Sequence, residues 1–257
     1  SKNIVLSSYN DFEPRMGDIA KEFFDNNWID ARPRKGKNSG AFCSPTVPSA
    51  NPYILMNYYG RPNDVMTLAH ELGHGIHQML AASQGYLLSK APLTLAETAS
   101  VFGEMLTFQT LLKTSTDRLH RKVLLASKVE DMLNTVVRQI AFYEFEEKVH
   151  SERKQGELTS DRLGELWISV QKKSLGPVFR YEKDYRHFWA YIPHFIHFPF
   201  YVYSYAFGIC LVNSLYDRFL QDGSDFTYNY VKMLQAGGSI RYAELLDCFG
   251  LDASDPG

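Results

Sequence analysis

The sequence predicts a mainly α fold with one small β element set just ahead of a central amphipathic helix. Three observations carry this expectation. Apolar residues recur at helical spacing along the chain, as in Ile19, Phe23 and Phe24 or Val65, Leu68, Leu72, Ile76 and Met79. A single stretch, WIDARPRKGKNSGAFCSPTVPSANP, is so rich in Pro, Gly and basic residues that regular helix is excluded there. One short β-prone run, YILMNYY from Tyr53 to Tyr59, is bounded by Pro52 and Gly60 and reads as a strand.

Taken in order, a first helix is expected from about Asn10 to Phe24, followed by the Pro/Gly-rich loop and the strand. From Asp64, a good N-cap residue, the stripe that begins at Val65 predicts a helix. Further helices are expected at about 93–113, 117–151, 159–173, 200–221, 225–235 and 240–248. With no repeat and no flexible linker, the chain reads as one helical unit spanning residues 1–257.

Composition narrows the functional classes. Hydrophobic residues at 45% and charged residues at 22% of 257 are those of a folding globular chain. A net charge of −2 and a pI near 6.4 provide no basic field for nucleic acid. Cys43, Cys210 and Cys248 are odd in number, widely spaced and contain no CxxC pair, which argues against disulfides and thiolate metal sites and for a reducing cytoplasm. The N-terminus lacks a basic start followed by an apolar run, so it does not read as a signal peptide. Aromatics are unusually frequent, and 9 of the 36 fall between Trp189 and Val212, a 24-residue stretch without Asp, Glu, Lys or Arg. Pro193, Pro199, His194 and His197 interrupt its first half and its aromatics do not cluster at two ends, which disfavours a membrane span. An aromatic core or an aromatic-lined groove is the better expectation.

The chemistry concentrates on the helix after Asp64, which contains His70-Glu71-Leu72-Gly73-His74, an HExxH motif. Residues four apart lie on one helical face about 6 Å apart along the axis, so two imidazoles can share one metal ion. At about 100° per residue, His70 and His74 lie opposite the apolar stripe and face a cleft. Glu71 is then placed to take a proton from the hydrolytic water. A catalytic zinc usually has three protein ligands. His77 shares the face but sits about 10 Å along the axis from His70, too far to join the pair, and a wall or substrate-contact role suits it better. A third histidine farther on is excluded because positions 77 and 80 are His and Leu. A carboxylate from the next helix remains. Glu97 is taken as the ligand, against its alternative as a helix-start carboxylate. Glu104, seven residues on, would share that face and orient an imidazole, against the alternative that it has no such role. Manganese or cobalt would suit the same donors as zinc.

TLAHELGHGIHQ, followed some twenty residues later by ETAS, resembles the oligopeptidase family of zinc metallopeptidases that includes thimet oligopeptidase, and most closely its oligoendopeptidase F branch. WIDARPRKGKNSGAFC, PYILMNYYG and IPHFIHFPFYVYSYAFG extend the resemblance over almost the whole chain. It implies a zincin-like helical catalytic lobe with a deep channel, one Zn2+ held by His70, His74 and Glu97, Glu71 as general base, and short peptides as substrates. It also implies that a His/Tyr cluster faces the metal and stabilises an oxyanion. His194, Tyr203 and Tyr205 are preferred for that role, with His197 next and Tyr201 competing, and each has a packed core aromatic as its alternative. The Tyr53–Tyr58 run would be an edge strand that pairs with substrate, or a structural hairpin, and Gly40-Ala41-Phe42 would touch the peptide. Members of the branch are longer, so the chain is expected to be the metal-bearing C-terminal part of a longer enzyme, without its N-terminal region and last helix. A zinc carboxypeptidase of related fold and a non-catalytic peptide-binding fragment are the competing functions.

Overall fold

Helices dominate, as the apolar spacing predicts. The computed structural model describes residues 1–254. In order the elements are α1 (Lys2–Phe12), α2 (Pro14–Asp25), β1 (Ile29–Asp30), β2 (Phe42–Ser44), β3 (Tyr53–Leu55), α3 (Pro62–Ala81), α4 (Gly85–Leu88), α5 (Leu93–Ala96), α6 (Thr98–Thr114), α7 (Arg118–Arg153), α8 (Ser160–Leu175), α9 (His194–His197), α10 (Tyr203–Asp222), α11 (Ser224–Ala236) and α12 (Tyr242–Asp247). They form two compact units, one of residues 1–124 with 210 onward and one of residues 125–209. Among the described residues no helix is long and apolar enough to cross a membrane. The uncharged stretch from Trp189 is divided among a 3-10 segment, α9, a turn and α10.

In the larger unit the expected first helix is two helices. Pro14 holds Glu13 in extended backbone (φ −153°, ψ 113°), so α1 stops and α2 restarts with proline at its first position and the Glu13 carboxylate accepting from the Arg15 amide. The Pro/Gly-rich loop contains two strands that periodicity did not reveal. The sheet order is β1-β3-β2, with β3 parallel to β1 and antiparallel to β2. Tyr53–Leu55 is therefore the central strand, and the expectation that it forms an edge is corrected: both its sides are occupied by residues from the loop. β2 is an edge instead. The loop itself is pinned by Lys37, whose ammonium donates to the backbone oxygens of Asp30 (2.8 Å), Arg32 (3.2 Å) and Met56 (2.6 Å) and to Asp30 Oδ1 (3.0 Å).

α3 begins two residues earlier than expected because Pro62 suits a first helical position. Asp64 sits at the third position, where its carboxylate accepts from the amides of Tyr59 (2.7 Å) and Arg61 (2.9 Å). Val65, Leu68, Leu72 and Ile76 are buried as predicted, and the stripe ends on Leu80 with Met79 only half-buried. Across it lies α6, separated from α5 by Glu97, so the expected helix over 93–113 is interrupted at that residue. The two long helices touch backbone to backbone at Gly73: a Cβ there would lie 2.4 Å from the Ala99 carbonyl oxygen and 2.6 Å from Ser100 Cα. Tyr9 of α1 fills the notch at Gly103, and its hydroxyl donates to the Ala69 carbonyl at 2.7 Å. Phe12, Phe102, Phe226 and Tyr230 complete this core, with Phe102 and Tyr230 ring centroids 4.5 Å apart.

The smaller unit has its own core of Phe142, Phe145, Leu166, Trp167, Val170, Ile192 and Val202, against which Tyr185, Trp189 and Phe195 pack. Much of the aromatic excess is thus core in both units. The helix expected from residue 200 starts at Tyr203 because Pro199 and a left-handed Phe200 (φ 61°) form a turn first.

Candidate metal centre

α3 places His70 and His74 one turn apart with their rings nearly perpendicular and Nε2 atoms 3.2 Å apart. Glu97 lies at the break between α5 and α6, with its carboxylate beside them. Its Oε2 lies 3.3 Å from His70 Nε2 and 3.6 Å from His74 Nε2. One ligand atom from each of the three residues lies within 4.8 Å of the others, close enough to hold one metal ion. Glu97 is buried at 2% exposure, and the Ser100 hydroxyl donates toward both its backbone oxygen (2.9 Å) and its Oε2 (3.1 Å). Glu104 Oε1 is 2.7 Å from His70 Nδ1, so that nitrogen's proton has a carboxylate acceptor and Nε2 is left to face the centre.

Charge and burial set the protonation pattern. Burial opposes a charged His70, but the carboxylates of Glu104 and Glu97 outweigh it and raise its pKa well above the usual value. Burial dominates at His74 and pushes it down to about 4, against the pull of Glu97. Glu71 is 5% exposed, and burial, helped by the negative charges of Glu97 and Glu104 and opposed by His70, pushes it up to about 7. Its Oε2 is buried without a hydrogen-bond partner. A carboxylate so placed is suited to exchange a proton near neutral pH. His77 points into the protein at 6% exposure, and burial lowers it to about 4. On β2, the Cys43 thiol is raised by burial and by the Glu71 charge, and it donates to Gln78 Oε1 at 3.8 Å. Gly40 and Ala41 lead into β2, with the Asn57 side-chain Nδ2 donating to the Gly40 carbonyl at 3.2 Å.

The remaining expected residues lie in the smaller unit. His194 Nε2 is 3.2 Å from the Tyr205 hydroxyl, and the His194 ring stacks on Tyr201 at 5.8 Å. Tyr203 lies against Tyr143 at 5.9 Å, and His197 is exposed. Sequence reading passed over Tyr9, Gly73, Ser100 and Lys37, which brace the larger unit's site, and Glu146, buried in the smaller unit. The small residues Gly73 and Gly103 inside amphipathic helices, and a serine three positions after Glu97, were the available signals.

Fold and site together define the class as a mainly helical lobe with a two-histidine, one-carboxylate group able to hold a metal ion. More particularly, the chain belongs to peptidase family M3, whose family model matches residues 9–257. It is 33% identical over 258 residues to oligopeptidase PepF of Bacillus subtilis (strain 168), covering 100% of this chain and 38% of that protein. It is 35% identical over 221 residues to the chromosomal oligoendopeptidase F of Lactococcus lactis subsp. cremoris, covering 85% and 36%. A crystal structure of oligoendopeptidase-F from Enterococcus faecium aligns with a TM-score of 0.59 at 29% identity over 75% of this chain and 35% of that one. PZ peptidase A with an inhibitor has the same fold, with a TM-score of 0.86 at 19% identity over 100% of this chain and 46% of that one. The chain therefore spans less than half the length of the relatives it matches.

Proposed function

We propose that the chain is the zinc-bearing lobe of a metalloendopeptidase that hydrolyses internal bonds of short peptides. The observation that carries this reading is the convergence of His70, His74 and Glu97 beside a buried Glu71 with one unpartnered oxygen. Two imidazole nitrogens and a carboxylate oxygen are a donor set that fits zinc and leaves a coordination position open. Zinc held by these residues would supply Lewis acidity and a hydrolytic water at neutral pH. Glu71 removes a proton from that water and delivers it to the leaving amine. Glu104 keeps His70 in the ligating tautomer. The family resemblance supports His194, Tyr203 and Tyr205, with His197 and Tyr201 next, as donors for the oxyanion. The edge position of β2 and the adjoining Gly40 and Ala41 support backbone pairing with an extended peptide, and His77 supports the wall behind the ligands. Three free cysteines support a reducing, cytoplasmic setting.

Hydrolysis of an internally quenched peptide with both ends blocked, with and without chelator and alongside metal analysis, tests the reading. Chelator-sensitive internal cleavage at one zinc per chain is the expected result. Cleavage that requires an unblocked C-terminus would identify a carboxypeptidase, and bound zinc without cleavage would identify a peptide-binding fragment.

A further inference from the structure

Phe198 to Tyr201 form a four-residue turn closed by the Tyr201 amide donating to the Phe198 carbonyl at 3.1 Å. Pro199 occupies its second position and Phe200, at φ 61°, its third. Proline followed by a left-handed residue is the signature of a type II turn, whose third position is normally glycine. A phenylalanine there is strained and persists only where the surroundings hold it. The commoner type I turn would give Phe200 an ordinary negative φ by flipping the Pro199–Phe200 peptide, which turns the Phe200 amide to the opposite side.

One side chain captures that amide. Glu146 of α7, 2% exposed, accepts from the Phe200 N–H through Oε1 at 2.8 Å. Tyr143 and His150 lie on the same face of α7, about one turn to either side, and both meet the Phe200 ring, at 6.4 Å and 4.6 Å between centroids. Glu146 Oε2 is buried without a partner, so the carboxylate sits where desolvation works against it. Burial accordingly raises its pKa, with the Phe200 amide opposing. A buried carboxylate that accepts from a backbone amide under those conditions acts on the backbone.

The turn is the short link between α9 and α10. His194 comes from the first and Tyr205 from the second, and their contact at 3.2 Å depends on the direction in which the chain leaves the turn. We propose that Glu146 is a positioning residue that selects the left-handed form of the Phe198–Tyr201 turn and thereby holds His194 against Tyr205. Its consequence for catalysis rests on the reading of His194 and Tyr205 as oxyanion donors. The turn assignment itself does not.

Amide hydrogen exchange at Phe200 and the imidazole NMR resonances of His194 read the turn whatever the chain hydrolyses. Glu146→Leu should speed exchange at Phe200 by on the order of tenfold or more and shift the His194 resonances. Glu146→Gln keeps an oxygen acceptor and should leave both near wild type. Adding Phe200→Gly to Glu146→Leu should restore the His194 resonances, because glycine holds positive φ unaided. If Glu146→Leu alone does not fold, the same glycine should recover folding. Unchanged exchange in Glu146→Leu, or no recovery by Phe200→Gly, overturns the proposal. On the quenched peptide, Glu146→Leu should lower kcat by about tenfold with KM little moved. A kcat that stays constant while the His194 resonances move would leave the turn assignment standing and remove His194 and Tyr205 from the oxyanion role.

Discussion

The ligand group on α3 and at the α5–α6 break and the His194–Tyr205 pair use similar polar side chains, yet they are held by different means. His70 and His74 ride on a helix whose opposite face, Leu68, Leu72 and Ile76, is buried, and whose neighbour approaches so closely that Gly73 has no space for a methyl group. Their geometry follows from helical period and dense packing. His194 and Tyr205 sit on either side of a turn in which a phenylalanine adopts a conformation it disfavours, and a carboxylate 54 positions away holds that turn. Helix period and packing set the first group, whereas the second also depends on the form of the turn between its two residues.

The largest effects should separate the groups by what is lost. Glu71→Gln removes the proton acceptor and should lower kcat about 10²- to 10⁴-fold with zinc content unchanged; near-normal turnover would exclude Glu71 as the base. Tyr205→Phe should cost about 10²- to 10³-fold in kcat, again with metal retained, and loss of zinc in this variant would break the division of labour.

A smaller effect concerns acid stability. His77 is buried with a pKa of about 4, against about 6.5 when unfolded. Between those values the unfolded chain binds the extra proton, so the stabilisation is complete above about pH 6.5 and is lost as pH falls toward 4, by up to about 3 kcal/mol. His77→Gln should flatten Tm between pH 5 and 7 relative to wild type, and an identical slope would show that His77 does not carry it. Smaller again, Gly73→Ala should cost about 1–3 kcal/mol by forcing α3 from α6, read as a lower denaturation midpoint. The His194 resonances should not move in that variant, since the turn does not depend on Gly73.

The same contrast explains what could be read from sequence. The i, i+4 histidines, the base between them and the burial of the helix's far face all follow from one period, so HELGH predicts its own geometry. Glu97 followed from the need for a third ligand, but the helix break at that residue did not, because LTLAETASVFGEML has uninterrupted helical spacing. Pro14 was legible as a breaker, and the spacing of Ile19, Phe23 and Phe24 hid it. The sheet escaped because its strands are two or three residues long and pair across the intervening loop, where alternation has no length over which to register. For the same reason Tyr53–Leu55 read as an edge when it is the centre. Glu146 looks like any other carboxylate in EFEEK, and its role depends on an amide that only the folded chain brings to it.

Lys37 has a consequence for chemical labelling. Its side chain has 0% exposure, while those of Lys21 and Lys173 are 61% and 68% exposed. An amine acylating reagent should therefore modify Lys21 and Lys173 quickly and reach Lys37 only when the Asp30, Arg32 and Met56 oxygens release it. The lag at Lys37, followed by peptide mass spectrometry, would time the opening of the segment that leads to Gly40, Ala41 and the edge strand.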